Sequence, residues 1–178
     1  MTSRNFTCFP VLITERLTLR QLSIDDHQDI FALRSDNEIN KYLDRRVART
    51  PEDAIDFINK INDNLRENVS VYWAITLTET RTFAGTICLY DFSTGHNSCE
   101  IGYELLPDFQ GRGIMKEAAE KVIEYAFQTL RFQKIIAITH RDNQRSARLL
   151  RKLIFISSKE TFEGNPDFYI FTLTESTQ

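Results

Sequence analysis

At 178 residues, with 42% hydrophobic and 11% aromatic content, the chain can bury roughly 70% of its unfolded surface, which fits a single domain over 1–178 and would crowd two. The formal charge of −3 argues against a polyanion binder, since nucleic-acid affinity rests on Lys and Arg neutralising phosphates. No window approaches the roughly 18 apolar residues of a membrane span, and Met1 to Pro10 lacks the apolar stretch of a signal peptide, so a cytoplasmic protein with no membrane or nucleic-acid partner is expected. Cys8, Cys88 and Cys99 are odd in number and lack paired metal spacing, which fits reduced thiols and no metal site.

Thr14 to Leu22 alternates Arg16, Thr18 and Arg20 with Leu17 and Leu19, the period of a strand with one wet face. Asp25 or Asp26 is placed to cap a helix burying Ile30, Phe31 and Leu33, and Ile39, Tyr42 and Leu43 continue it as a helical hairpin. Thr50-Pro51-Glu52-Asp53 starts another helix, with a capping Thr, Pro at the first position and acids in the first turn. Its apolar face is Ala54, Phe57, Ile58, Ile61 and Leu65.

Val71 to Leu77 alternates as a strand, Thr78 to Arg81 turns it back, and Phe83 to Leu89 forms the next strand. Ser93 to Asn97 is a second turn, leading into a strand over Glu100 to Leu106. Short turns make these three antiparallel neighbours. Pro107 ends the last one, because it cannot donate to a continuing ladder.

Beyond Pro107, Met115, Ala118, Ala119, Val122, Ile123, Ala126, Phe127 and Leu130 fall at the spacing of one buried helix face. Between strand and helix, Gly111 and Gly113 allow positive φ or a close backbone approach. The first helical N–H groups lack partners inside the helix and, with a macrodipole worth roughly half a positive charge, form an anion site suited to phosphate. A nucleotide P-loop would need Lys-Ser/Thr after Gly113, where Ile114 and Met115 stand. A dinucleotide fingerprint would need a small residue at Lys116. Both fail, and a plain tight turn is the structural alternative.

Lys134 to Thr139 holds Ile135, Ile136, Ala137 and Ile138 in an unbroken apolar run, typical of a strand covered on both faces, and the preceding helix makes it parallel to the Glu100 strand. Asp142 or Asn143 caps a helix carrying Leu149, Leu150 and Leu153. Phe155 to Ser158 and Phe168 to Leu173 form a last hairpin around Glu163-Gly164-Asn165-Pro166. Arg141, Arg145, Arg148, Arg151 and Lys152 offer either a solvated helix face or a phosphate contact.

Gln110-Gly111-Arg112-Gly113-Ile114-Met115 resembles the acetyl-CoA pyrophosphate loop of the GCN5-related N-acetyltransferases, Gln/Arg-x-x-Gly-x-Gly/Ala, except that Met115 replaces the small last residue. Glu-Ile-Gly-Tyr before it and Glu117-Ala118 after it are similar to the branch of ribosomal-protein N-terminal alanine acetyltransferases. The resemblance covers Thr14 to about Thr172. It implies an α/β fold, a mixed, mostly antiparallel sheet flanked by helices, with its fourth and fifth strands parallel but splayed, over a core of about 14–173. It implies acetyl-CoA as co-substrate, with the pantetheine arm bonding to the strand edge at Tyr103, Glu104 and Leu105 and the pyrophosphate held by Gln110, Gly111, Arg112, Gly113, Ile114 and Met115. Asn143 and Ser146 match the branch's Asn-x-x-Ser, which implies that Asn143 holds the pantetheine arm and that Ser146 hydrogen-bonds or protonates the leaving thiolate. A plain helix cap is the alternative for Asn143. The family's Gly-Phe after this helix is Ile154-Phe155 here.

Acetyl transfer to an amine needs the amine neutral. Free α-amino groups titrate near about 7.7–8.0 and lysines near about 10.4, so a base matters more for lysine. Glu100, Gly102 and Glu104 share one face of the central strand. Glu100 is the first candidate base and Glu104 the second, a solvated acid being the alternative for each. Cys88 or Cys99 with His96 as nucleophile and base lacks a third group to fix the His. The expected acceptor is a primary amine, first a protein N-terminus. The alternatives are a polyamine, amino sugar or antibiotic, or a non-catalytic CoA-binding domain. Oligomeric state stays open, a homodimer among the options.

Overall fold

The computed structural model describes residues 5–43, 45–162 and 165–175. The chain opens with β1 (Leu12–Ile13) and β2 (Leu17–Gln21), followed by α1 (His27–Ser35), α2 (Asn37–Asn40) and α3 (Pro51–Arg66). A meander of β3 (Val71–Leu77), β4 (Phe83–Ser93) and β5 (Ser98–Leu105) leads to α4 (Ile114–Glu124). Then come β6 (Lys134–His140), α5 (Gln144–Lys152), β7 (Ile156–Phe162) and β8 (Asn165–Thr174).

The eight strands form one mixed sheet in the order β1-β2-β3-β4-β5-β6-β8-β7. All neighbours are antiparallel except β5 and β6, the pair joined through α4. One face packs against α4 and α5 through Trp73, Ile87, Leu89, Ile101, Leu105, Ile135 and Phe171. The other face is covered by α1 and α3 through Leu22, Ile30, Leu33, Ala54, Ile58 and Ala74. No helix among the described residues is long and apolar enough to cross a membrane.

Several local expectations need correction or refinement. Asp26 is the N-cap of α1, as expected, but makes no side-chain cap bond there. A 3-10 turn over Ile24–Asp26 precedes the helix and is capped by Ser23, whose hydroxyl accepts from the Asp25 N–H while Asp26 reaches back to the Ser23 N–H at 2.8 Å. Asp26 is buried at 5% exposure because Arg20 holds both its oxygens, at 2.7 and 2.8 Å. The helical hairpin stops after one turn of α2, leaving Tyr42 and Leu43 outside it. Asn40 donates from its buried amide to Leu33 and Asp36 carbonyls, closing the chain back on α1.

The long helix changes to a π turn over Tyr125–Thr129, with Leu130 N–H donating to the Tyr125 carbonyl. The wider turn accompanies the edge-on packing of Tyr125 against Trp73 and the full burial of Phe132. β6 is not covered on both faces: Ile135 and Ala137 are buried, whereas Ile136, Ile138 and His140 stay partly exposed, because α1 and α3 do not reach across to it. β8 lies between β6 and β7 and pairs with both, and residues 163 and 164 of its turn fall outside the described residues.

Candidate active site

A slot opens where β5 and β6 part. β5 follows β4 as far as Gly85↔Leu105, and β6 follows β8 to His140↔Phe168, yet the parallel register runs only from Ser98↔Lys134 to Glu100↔Ile136. β5 therefore leans on β4. A Cβ on Gly85 would stand 2.2 Å from the Glu104 carbonyl oxygen, so glycine is needed for that approach. Past Glu100, the β5 edge at Tyr103, Glu104 and Leu105 has no strand across from it. The Tyr103 hydroxyl and Ser146 hydroxyl are 2.9 Å apart, bringing β5 and α5 together on the α4/α5 side. Burial raises the Tyr103 hydroxyl to about 12 despite the Ser146 hydrogen bond, so it remains a protonated donor.

The glycine loop sits on that same side. Gly111 and Gly113 adopt φ of +75° and +78°, the left-handed region, and Gly113 is the N-cap of α4. A Cβ at Gly111 would enter open space, while one at Gly113 would meet an Arg16 guanidinium nitrogen at 3.5 Å. The loop is braced on both flanks. Gln110 donates to the Leu105 carbonyl at 3.0 Å and accepts from Arg145 at 2.6 Å. Arg16 donates to the Arg112 carbonyl at 3.2 Å and to Glu117 at 2.7 Å, and Glu117 also accepts from Thr14 at 2.6 Å. Burial would raise the Glu117 carboxyl, but the Thr14 and Arg16 hydrogen bonds outweigh it and hold the group below the usual range. Ile114 and Met115 are buried in the main core, so the large residue at 115 is accommodated by packing inward. Donors, open space and a helix start thus converge as a phosphate cradle requires.

The opposite face carries the carboxylates. Tyr90 stands across from Glu100 and hydrogen-bonds to it. Burial pushes the Glu100 carboxyl up against that hydrogen bond, and Asp91 adds to the shift. Glu104 differs: Arg45 takes both its oxygens, at 2.9 and 2.6 Å, and its side chain is 9% exposed. Cys88 lies on this face too, and burial followed by the Glu104 charge pushes its thiol up, away from the thiolate. Cys99 is fully buried and His96 is exposed on a turn. Asn143 caps α5, its side-chain oxygen accepting from the Ser146 N–H at 3.1 Å, which leaves its amide NH₂ and a second oxygen lone pair for a ligand.

The stretch after α2 straddles the slot. Arg45 fastens to β5 through Glu104, with its Nε donating to Asn40 at 2.7 Å, while Tyr42 stacks on His140 of β6 at 5.3 Å. Phe168 meets the His140 ring edge-on at 5.3 Å. Arg45, Tyr90 and Glu117 are the residues that periodicity could not place in the site. Tyr90 was within reach of antiparallel register counting, and Arg45 was not.

Comparison with known proteins shows the family and the fold. Residues 16–156 match the family model for the acetyltransferase (GNAT) domain. The chain is 35% identical over 147 residues, 83% of each chain, to YoaA, an uncharacterized N-acetyltransferase of Bacillus subtilis. Two solved structures share the fold. RimL, a ribosomal L7/L12 α-N-protein acetyltransferase in complex with coenzyme A, aligns over 93% of this chain and 98% of its own, with TM-score 0.81 and 16% identity. Spermidine N-acetyltransferase from Vibrio cholerae, in complex with CoA and spermine, aligns over 92% and 98%, with TM-score 0.77 and 20% identity.

Proposed function

We propose, since this chain belongs to the GNAT acetyltransferase family, that it acetylates the α-amino group of a protein N-terminus by direct attack within a ternary complex. Acetyl-CoA supplies the acetyl thioester. Gly111, Gly113 and the first N–H groups of α4 would hold its pyrophosphate with Gln110, Arg112, Ile114 and Arg145, and the free β5 edge at Tyr103 to Leu105 would hold its pantetheine arm with the Asn143 amide. Glu100, first choice because Glu104 is held by Arg45, would accept the proton released by the attacking amine. Ser146, hydrogen-bonded to Tyr103, would donate a hydrogen bond or proton to the departing sulfur.

The observation that carries the choice of acceptor is the partly exposed floor formed by Glu100, Ile136, Ile138 and His140, lying between the α1–α3 side and the β7–β8 hairpin. An open strip of sheet suits a chain end. Beside it, the Glu104 carboxylate is neutralised by Arg45, which leaves less to attract a polycation. One feature favours a small-molecule amine instead: the Tyr42, His140 and Phe168 rings narrow one end of the floor and could face a compact cation. Thiol release from acetyl-CoA, measured against N-terminal peptides, lysine peptides, spermidine and aminoglycosides, decides between them. Turnover of spermidine with none of any peptide would reject the N-terminal reading.

A further inference from the structure

One charged cluster on the acceptor face takes no part in that chemistry. The Arg34 guanidinium carbon lies 3.9 Å from the centroid of the Phe57 ring, and Phe57 stands edge-on to Tyr72 at 5.5 Å. The Tyr72 hydroxyl is 3.5 Å from Glu104, whose two oxygens are both held by Arg45. Glu104 is paired with Arg45, and among the described residues no carboxylate lies within 4.0 Å of Arg34. Burial, then the neighbouring Arg45 charge, pull the Arg34 pKa down against the pull of Tyr72 and Glu104, yet a guanidinium stays protonated.

The cluster has a defined place relative to the proposed chemistry. Glu104 is four residues from Glu100 on the same face, roughly 13 Å along the strand, and an extended peptide covers that distance in about four residues. An amine at Glu100 therefore brings the fourth or fifth residue of an extended peptide toward Glu104 and Arg34. Planar guanidinium matches carboxylate geometry, and the Phe57 ring fixes its plane.

We propose that Arg34 is a specificity-determining residue that binds a carboxylate of the acceptor, so that the preferred acceptor is a primary amine with an acidic group nearby. This rests on the N-terminal reading above, in which the acid is a Glu or Asp at the fourth or fifth residue. The two guanidiniums and Lys41, which lies 5.5 Å over the Tyr42 ring, disfavour polyamines by like-charge repulsion.

The test is kcat/KM for a set of otherwise identical peptides with Glu, Gln or Lys at positions 4 and 5, using native protein, Arg34→Gln and Arg34→Lys. Glu should exceed Gln by roughly tenfold, the scale of one charge-assisted hydrogen bond, with Lys below both. Arg34→Gln should bring the Glu/Gln ratio near one, and Arg34→Lys should keep part of it. Arg66→Gln, the same charge change at the exposed end of α3, should leave the ratio intact. A native ratio near one overturns the proposal, as does an unchanged ratio in Arg34→Gln. If Arg34→Gln does not fold, the native ratio decides. If no peptide is acetylated, the N-terminal reading fails and 11-aminoundecanoate, long enough to span roughly 13 Å, against its amide decides for Arg34, a ratio near one overturning the anion site as well.

Discussion

Glu100 and Glu104 are identical side chains two pleats apart, and their surroundings divide their roles. A carboxyl that burial has raised is a better proton acceptor near neutral pH than one clamped by a guanidinium. Glu100→Gln is expected to lower kcat by about a hundredfold or more. The native acid limb of kcat/KM should lie above the usual carboxylate range and disappear in the variant. Stability moves the other way: a carboxyl with a raised folded pKa favours the fold as pH falls through that pKa, and its ionised form at pH 7 is unfavourable. Thermal unfolding should therefore show Glu100→Gln at least as stable as native protein at pH 7. Both glutamates were legible as candidates from alternation along the strand. Their difference was not, because it comes from the burial of Glu100 and from Arg45, which meets Glu104 only in the fold.

At the scale of elements, the start of α4 is tied to the first strands by one side chain. Glu117 accepts from the Thr14 hydroxyl and from the Arg16 backbone and guanidinium. Glu117→Gln should destabilise the protein by about 1–2 kcal/mol at pH 7. Since the folded pKa is depressed, the contribution is present above the unfolded value and lost as pH falls through the folded one. The gap between native and variant midpoints in urea should thus narrow below about pH 4.3. The end of α5 is a Schellman turn, with Phe155 N–H donating to Leu150 and Ile154 N–H to Arg151, both at 3.0 Å. Its left-handed position, φ +60°, is Ile154, 74% exposed. A β-branched residue is strained there, and Ile154→Gly should stabilise the fold by about 1 kcal/mol, read from the same titration. The missing glycine was visible in the sequence, but only the backbone shows that the turn keeps its left-handed form regardless.

Across the whole molecule, the slot is bridged by a stretch that touches both of its walls. Arg45→Met would leave Glu104 buried without its partner and should cost about 3 kcal/mol, whereas Arg45→Met with Glu104→Met should recover most of that loss in a double-mutant cycle. The helix and strand periods, the glycine turn and the right-handed crossover were readable from local spacing, and so was the parallel pair. These depend on residues a few positions apart. The early end of the β5–β6 ladder was expected from the family resemblance alone, whereas the insertion of β8 between β6 and β7 and the exposed face of β6 were not readable, because strand order and twist depend on which distant edges meet. The sequence by itself determined the elements, the loop and the candidate acids, since each is a property of neighbouring residues and their backbone preferences. Only the tertiary structure decided which acid is clamped and which is raised, and that Glu104 pairs with Arg45 rather than Arg34, because charge balance and burial arise between segments that meet only when the chain has folded.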